Sequence, residues 1–344
     1  MLLSKPRVVL VSSMLALLSA LAFAFACGGG DGKSERLFAP QDNQLDVFDL
    51  TTEERTVPIP AERNTVNGQV CLLPDGSGNF LLGEDTRQAE DEGGERMGWG
   101  VFSPDGELVK KIPEPKSPGE AEQPEPFGCG FDSEERLFVT DVGSGSFDAE
   151  DGKLIVFFPP DYEEFCLLDT TLRTAGTVTI DDKGDVHVPE TVPPGRVLRF
   201  SPPFPTGPDE CDTAKPDRSV FIEGDPDLQT PFSIVQAPNG NWYVSSVVIP
   251  PTIREYDATG EFVRVIVEGE NVGSPAGLAV DSEGTLYYAD LGLVERPAPE
   301  FFGPEEGKGT VRKVTFDEDG NPSPPEILGR DLSFPDAVSV LPGD

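Results

Sequence analysis

The chain holds 62 acidic side chains but a single histidine, His187. One histidine excludes multi-histidine metal centres. No Gly-x-Ser-x-Gly elbow accompanies it, so a Ser-His-Asp hydrolase has no support. No phosphate-cradling glycine loop and no Cys-x-x-Cys-His haem attachment occurs. The stretch Asp317-Glu318-Asp319-Gly320 looks like the start of a calcium loop, but Leu328 stands where the closing glutamate belongs. A strand-joining turn is the better reading. What remains are acids at regular intervals. Glu84, Asp141, Glu190 and Asp290 each follow a short apolar run, and Gln41 and Ser246 occupy the same point in two further runs. Oxygens grouped around one point would suit a hard cation or a polar ligand. The same short polar residues also suit the start of a turn after a strand.

The acids recur because the chain repeats. "SPAGLAVDSEGTLYYAD" (274–290) has a Pro-x-Gly entry, a short apolar strand, an Asp-x-x-Gly turn, a second strand with aromatics and a closing acid. "EPFGCGFDSEERLFVTD" (125–141) and "TAGTVTIDDKGDVHVPE" (174–190) match it without gaps. "TPFSIVQAPNGNWYVSS" (230–246) keeps its shape, and "VNGQVCLLPDGSGNFLLGE" (66–84) is longer around the turn. Most copies run on into a third and a fourth apolar strand, such as "GKLIVFF" then "EEFCLLD". Anchors at Gly68, Gly128, Gly176, Ser233, Gly277 and Ala337 lie 44 to 60 residues apart. Four short antiparallel strands at this spacing predict an all-β fold, a six-bladed β-propeller. A sandwich would not repeat one entry-turn-acid pattern. The 37 Gly and 35 Pro are spread along the chain, as many turns require.

The sixth copy is split. "FPDAVSV" (334–340) reads as a first strand with no second strand after it. Its missing partners lie at the other end: "SERLFAPQ" (34–41) matches "EERLFVTD" (134–141), and "NQLDVFDL" and "RTVPIP" follow. Pairing the two ends closes the ring and removes exposed sheet edges. One domain is therefore expected over residues 34–344.

These units resemble the NHL-repeat and SMP-30/gluconolactonase-like six-bladed propellers over nearly all of that span. "PAGLAVDSEGTLYYADLG" and its copies carry the resemblance. It implies that first strands line a central channel, with their entries and the second-strand exits on one ligand-bearing face. The entry ring is then Asn67, Phe127, Ala175, Phe232, Ala276 and Asp336. The exit ring is Gln41, Glu84, Asp141, Glu190, Ser246 and Asp290. Lactonases of this type hold a divalent cation at such entries, and Asn67-Gly68 and Pro335-Asp336 resemble two of their ligand motifs. The resemblance thus implies a site for Ca²⁺ or Mg²⁺ at Asn67 and Asp336, next to each other across the seam. The chain order differs from the family's, and Phe127, Ala175, Phe232 and Ala276 offer no third ligand. One scaffold of this kind serves binders, lyases and lactonases. Two functions follow: a binding module whose ligand meets Phe127, Phe232 and the exit acids, or a divalent-metal-dependent lactonase.

At the N-terminus Lys5 and Arg7 precede an apolar stretch, Val8 to Ala26, and Cys27. This describes an export signal over 1–26, and Ala24-Phe25-Ala26-Cys27 resembles a bacterial lipobox with Cys27 as the lipidated residue. A cleaved soluble form and an uncleaved anchor are the alternatives. Residues 27–33 read as a flexible tether, with Gly28 pointing to the outer membrane. In an exported chain Cys71, Cys129, Cys166 and Cys211 permit two disulfides. Blade neighbourhood pairs Cys166 with Cys211 and Cys71 with Cys129. The second pair needs two inner strands to bring their Cα atoms within about 7 Å. The net charge of −36 repels nucleic acid and anionic headgroups. Partners are expected to be a small molecule or an envelope protein, with the membrane touched only through the lipid and the propeller monomeric. The inserts Arg87 to Arg96 and Pro113 to Pro126 read as lids or solvated loops.

Overall fold

The computed structural model describes residues 34–41, 44–60, 66–84, 98–112, 126–144, 149–269, 271–297 and 302–343, without the side chains of Val66 and Glu84. The export signal, Cys27, the tether and the inserts at 85–97 and 113–125 lie outside the described residues.

Six four-stranded antiparallel sheets follow one another. Blade 1 contains β1 (Glu35–Gln41), β2 (Gln44–Asp49) and β3 (Arg55–Ile59). Blade 2 is β4 (Val66–Leu72), β5 (Phe80–Glu84), β6 (Trp99–Phe102) and β7 (Leu108–Ile112). Blade 3 is β8 (Pro126–Phe131), β9 (Leu137–Asp141), β10 (Gly152–Phe157) and β11 (Phe165–Leu172). Blade 4 is β12 (Thr179–Ile180), β13 (Val186–Glu190), β14 (Arg196–Ser201) and β15 (Asp217–Ile222). Blade 5 is β16 (Pro231–Gln236), β17 (Trp242–Ser246), β18 (Thr252–Tyr256) and β19 (Phe262–Glu268). Blade 6 is β20 (Pro275–Val280) and β21 (Leu286–Asp290), then a separate hairpin of β22 (Leu293–Glu295) and β23 (Phe302–Pro304), then β24 (Gly309–Val314) and β25 (Glu326–Leu332). The last strand, β26 (Ser339–Pro342), returns to blade 1 and pairs antiparallel with β1, Leu37 opposite Val340. The ring is closed as the split repeat predicts. The hairpin β22–β23 was not visible in the repeat.

The Asp-x-x-Gly turns have a local cause. Asp281 Oδ1 accepts from the N–H groups of Glu283 (3.0 Å) and Thr285 (2.8 Å), and Gly284 takes φ +89° to close the turn. Asp181 does the same for Lys183 and Asp185, and Asp132 for Glu134 and Arg136. In the last of these Glu135 bears the positive φ (+61°) without a glycine. Asp317 caps its β24–β25 turn in this way too, through Asp319 and Asn321, as the strand-joining reading expects.

Alternation along each strand sends neighbouring side chains to opposite faces of a blade. Each blade therefore feeds two cores. Leu37 and Ala39 join Tyr287 and Val311 between blades 6 and 1, while Phe38 between them joins Phe80 and Phe102 between blades 1 and 2. Leu137 and Val139 pack with Trp99 and Leu81 of blade 2, and Phe138 with Val186 and Phe200 of blade 4. The apolar interior is thus a ring of seams, and two carry staples. Cys71–Cys129 links β4 to β8 with Cα atoms 6.1 Å apart. Cys166–Cys211 links β11 to the connection after β14, at 5.2 Å. Both pairings agree with the sequence reading. Adjacent inner strands do come close enough for the first.

Candidate functional site

The inner strands enter the ring through tight backbone contacts at the anchor positions. A Cβ on Gly176 would stand 2.2 Å from Phe232 O, and one on Gly277 2.4 Å from Ala337 Cα. Thr177 N–H donates to Phe232 O at 3.1 Å and Gly277 N–H to Asp336 O at 3.0 Å, so each blade is tied to the next. Hydroxyls on second strands bridge further. Thr140 Oγ1 accepts from Gly128 N–H (2.8 Å) and donates to Gly176 O (2.7 Å). Ser245 Oγ accepts from Ser233 N–H (3.1 Å) and donates to Ala276 O (2.6 Å).

The exit ring proves to be a set of clamps on the loops that lead into the first strands. Asp290 Oδ1 accepts from Ser274 N–H at 2.8 Å, Glu190 Oε1 from Arg173 N–H at 3.0 Å, and Gln41 Oε1 from Ser333 N–H at 2.6 Å. Ser246 Oγ takes the weaker equivalent from Thr230 N–H at 3.4 Å. The second carboxylate oxygen meets a cation from the third strand. Asp141 pairs with Lys153, its register partner on β10, and both are buried. Glu190, fully buried, pairs with Arg196 and with Arg173 (3.2 Å). Asp290 receives Arg312 at 2.6 Å and Thr310 Oγ1 at 3.1 Å. Glu190 in turn raises the pKa of the Arg196 guanidinium. Glu84 ends β5 opposite Val66, and its side chain lies outside the described residues. The acids are therefore engaged with backbone and cations of their own blades. Asp141 and Asp290 also cap the turns after their strands, accepting from Gly143 N–H (3.0 Å) and Gly292 N–H (3.1 Å).

The entry ring brings its aromatics together. Phe127 of blade 3 and Phe232 of blade 5 meet edge to face across blade 4, centroids 5.0 Å apart at 80°. Ala175 between them is small enough to allow it. An apolar cluster continues from Phe232 through Ala276, Val247, Val248, Leu291, Leu293 and Phe334. Two side chains beside it are exposed: Ile249 by 58% and Phe302, on β23, by 46%. Ile249 has φ +65° and Phe334 φ +52°. For a β-branched residue that is a strained conformation, of the kind retained at functional surfaces.

Asp336 meets the backbone of Gly68, the residue after Asn67. Both carboxylate oxygens of Asp336 stand 3.2 Å from the N–H of Gly68, and Asp336 is buried. Asn67 Oδ1 is buried and accepts no hydrogen bond. No cluster of three or more His, Cys, Asp or Glu side chains with metal-holding geometry occurs among the described residues.

His187 is remote from all this, 1% exposed in the seam between blades 4 and 5. It packs on Trp242 (4.4 Å) and Phe221 (4.7 Å). Asp181 Oδ2 is 3.5 Å from Nε2, at the limit of a hydrogen bond, and neither nitrogen has a better partner. Burial pushes its pKa down to about 4, against the pull of Asp181. It is a packed strand residue, as its place in the repeat suggests.

One contributor escaped the sequence reading. Gln69 follows anchor Gly68, and its Oε1 accepts from Cys129 N–H (3.2 Å) and Val178 N–H (3.1 Å), spanning three blades. Reading the residue after each anchor would have found it, since Cys129, Thr177, Ile234, Leu278 and Val338 stand there in the other copies.

The architecture defines the class: an all-β six-bladed propeller in which two entry-ring phenylalanines meet. Solved structures share it. A protein of unknown function from Bacteroides caccae aligns with a TM-score of 0.55 at 14% identity, over 90% of this chain and 99% of its own. A gluconolactonase-like protein aligns at 0.50 and 18%, over 80% of each. A catalytically inactive virginiamycin B lyase from Staphylococcus aureus, crystallised with quinupristin, aligns at 0.52 and 12%, over 84% of each. At these identities the likeness concerns the fold. No protein-family model and no curated protein matches the chain.

Proposed function

We propose that the chain is an exported, lipid-anchored propeller that binds a small molecule or an envelope protein through its entry face. The observation that carries this reading is the aromatic closure of that face. Phe127 and Phe232 meet over it, and Ile249 and Phe302 stand exposed beside the same apolar cluster. The described exit acids, by contrast, are committed to Lys153, Arg196 and Arg312. Two disulfides suit an oxidising compartment, which supports export through residues 1–26 and attachment at Cys27. Fractionation of cells carrying Cys27→Ser tests the anchor: the variant is expected in the soluble exported fraction, and membrane retention counts against lipidation.

A second reading rests on Asn67 Oδ1, buried without a partner, and on Asp336, which accepts from the N–H of the next residue, Gly68. The pair fits Ca²⁺ or Mg²⁺ in donor chemistry and falls short in number, because the other four entry residues carry no side-chain oxygen. Such a cation would polarise a lactone carbonyl in a metal-dependent hydrolase. Calcium titration followed by thermal melting separates the two readings. Binding through the aromatic face predicts no calcium-specific shift. A rise in Tm with calcium that Asp336→Ala abolishes moves the assignment to the metal-dependent hydrolase.

A further inference from the structure

The six inner strands line an open channel segment of about 450 Å³. Every blade gives its wall a half-buried apolar side chain: Leu72, Phe131, Ile180, Val235, Val280 and Val340. No charged side chain lines it, and its polar side chains are the amides of Gln69 and Gln236 and the hydroxyls of Thr179 and Ser339. Toward the entry face Gln69 reaches from blade 2 to the backbone of blades 3 and 4. The lining runs the other way along the strands, so the mouth opens among the inner hairpin turns. There Gln236 and Val280 also line a depression of about 320 Å³ that contains Asp182 and Asp281. Asp281 is engaged by the Tyr287 hydroxyl (3.0 Å) and by the N–H groups of its own turn. Asp182 is exposed.

Channel and depression thus adjoin at Gln236 and Val280, with mostly apolar side chains inside and the Asp182 carboxylate on the outer side. The volume falls in the range of small-molecule sites, and apolar side chains outnumber polar ones in the lining, with exposed strand backbone adding polar groups between them. Burying those six side chains against an apolar body is favourable, while a negative charge meets both an uncharged lining and a chain of net charge −36. We propose that this channel segment binds a small apolar molecule bearing an amine head, with its body in the channel and its head at Asp182. The site lies at the opposite end of the channel from the aromatic entry face and does not depend on the reading given for that face.

The test uses the neutral fluorophore N-phenyl-1-naphthylamine, displaced by decylamine, decanol or decanoate. Saturable fluorescence is expected, with decylamine displacing roughly fivefold better than decanol and decanoate weakest. Val280→Trp and Gln236→Trp fill the mouth from two blades and should each weaken the fluorophore by roughly tenfold or more. Thermal melts report whether each variant folds, and either one alone carries the comparison. Asp182→Asn should bring decylamine down to the level of decanol. No saturable fluorescence, or fluorescence that the folded tryptophan variants leave intact, overturns the channel segment as a site. Decanoate displacing as well as decylamine, or an amine preference that survives Asp182→Asn, overturns the head-group assignment.

Discussion

At the scale of single residues, the polar groups of this propeller are spent on holding it together. Lys153 and Asp141 are 2% and 1% exposed. Removing one member of such a pair leaves the other buried without this opposite charge, at a cost of about 3–5 kcal/mol. Lys153→Met should therefore lower the free energy of unfolding in urea by about that amount, and a loss below about 1 kcal/mol would mean that water reaches Asp141. His187 makes a pH-dependent prediction. Its folded pKa lies near 4, below the ordinary 6.5, because burial disfavours the imidazolium. As pH falls, the unfolded chain takes up the proton first. The stability due to the neutral ring is complete above pH 6.5 and is lost progressively toward pH 4. The loss amounts to about 3 kcal/mol over that window. His187→Phe keeps the packing on Trp242 and Phe221 and removes the titration. Urea unfolding at a series of pH values should show a flatter profile for the variant between pH 6.5 and 4; parallel profiles would mean that His187 is solvated when protonated.

At the scale of strands and turns, the anchors explain how closely blades approach. Adding a methyl to Gly277 puts it 2.4 Å from Ala337 Cα, which is backbone and cannot swing aside. Gly277→Ala should cost about 2–3 kcal/mol by overpacking, whereas Gly207→Ala, with nothing within 4 Å, should stay within about 0.5 kcal/mol of the parent. Equal melts for the two would show that the seam between blades 6 and 1 yields. The Asp-x-x-Gly turns were legible in the sequence because their chemistry lies within a few residues, and the anchor positions and the split blade because the repeat displays them. So were the exit acids as positions. Their partners were not: Lys153 and Arg312 meet the acids through strand register, 12 and 22 residues away. Gln69 reaches backbone 60 and 109 residues on, which no local pattern encodes. The hairpin β22–β23 was missed because its strands have three residues each, too few for an alternation to register. The contact of Phe127 with Phe232 needed the ring itself. The two lie far apart in sequence, and only the curvature of three successive blades, with Ala175 in the middle one, brings their edges together.

For the whole molecule, the decisive property is that its cores form a circle of seams around an open channel. Each seam is stabilised chiefly by its two blades, so cooperativity depends on the circle being closed. Two seams, between blades 2 and 3 and between blades 3 and 4, are stapled by disulfides. The seams that flank blade 1 carry no disulfide, and β26 serves both. Its segment supplies Ala337 and Val338, both buried, and the Asp336 carbonyl that accepts from Gly277 on the blade 6 side. Toward blade 2 it supplies the Asp336 carboxylate for Gly68 and the Ser339 hydroxyl for Val70 N–H (3.0 Å). The net charge of −36 pushes against closure throughout. Deleting Phe334 to Asp344 removes all of these contacts and exposes the inner edge of β1. At roughly 2–4 °C per kcal/mol for a chain of this size, the loss of several such contacts should lower Tm by more than about 10 °C. It should also broaden the melt as blade 1 separates from the stapled half. A circular permutant that joins residue 344 to residue 34 and opens the chain between blades 4 and 5 keeps β26 beside β1. It should melt near the parent, because the seams stay the same and only the chain order changes. If the deletion variant melted with the parent instead, β26 would be an accessory strand, and the stapled seams alone would account for the stability of the ring.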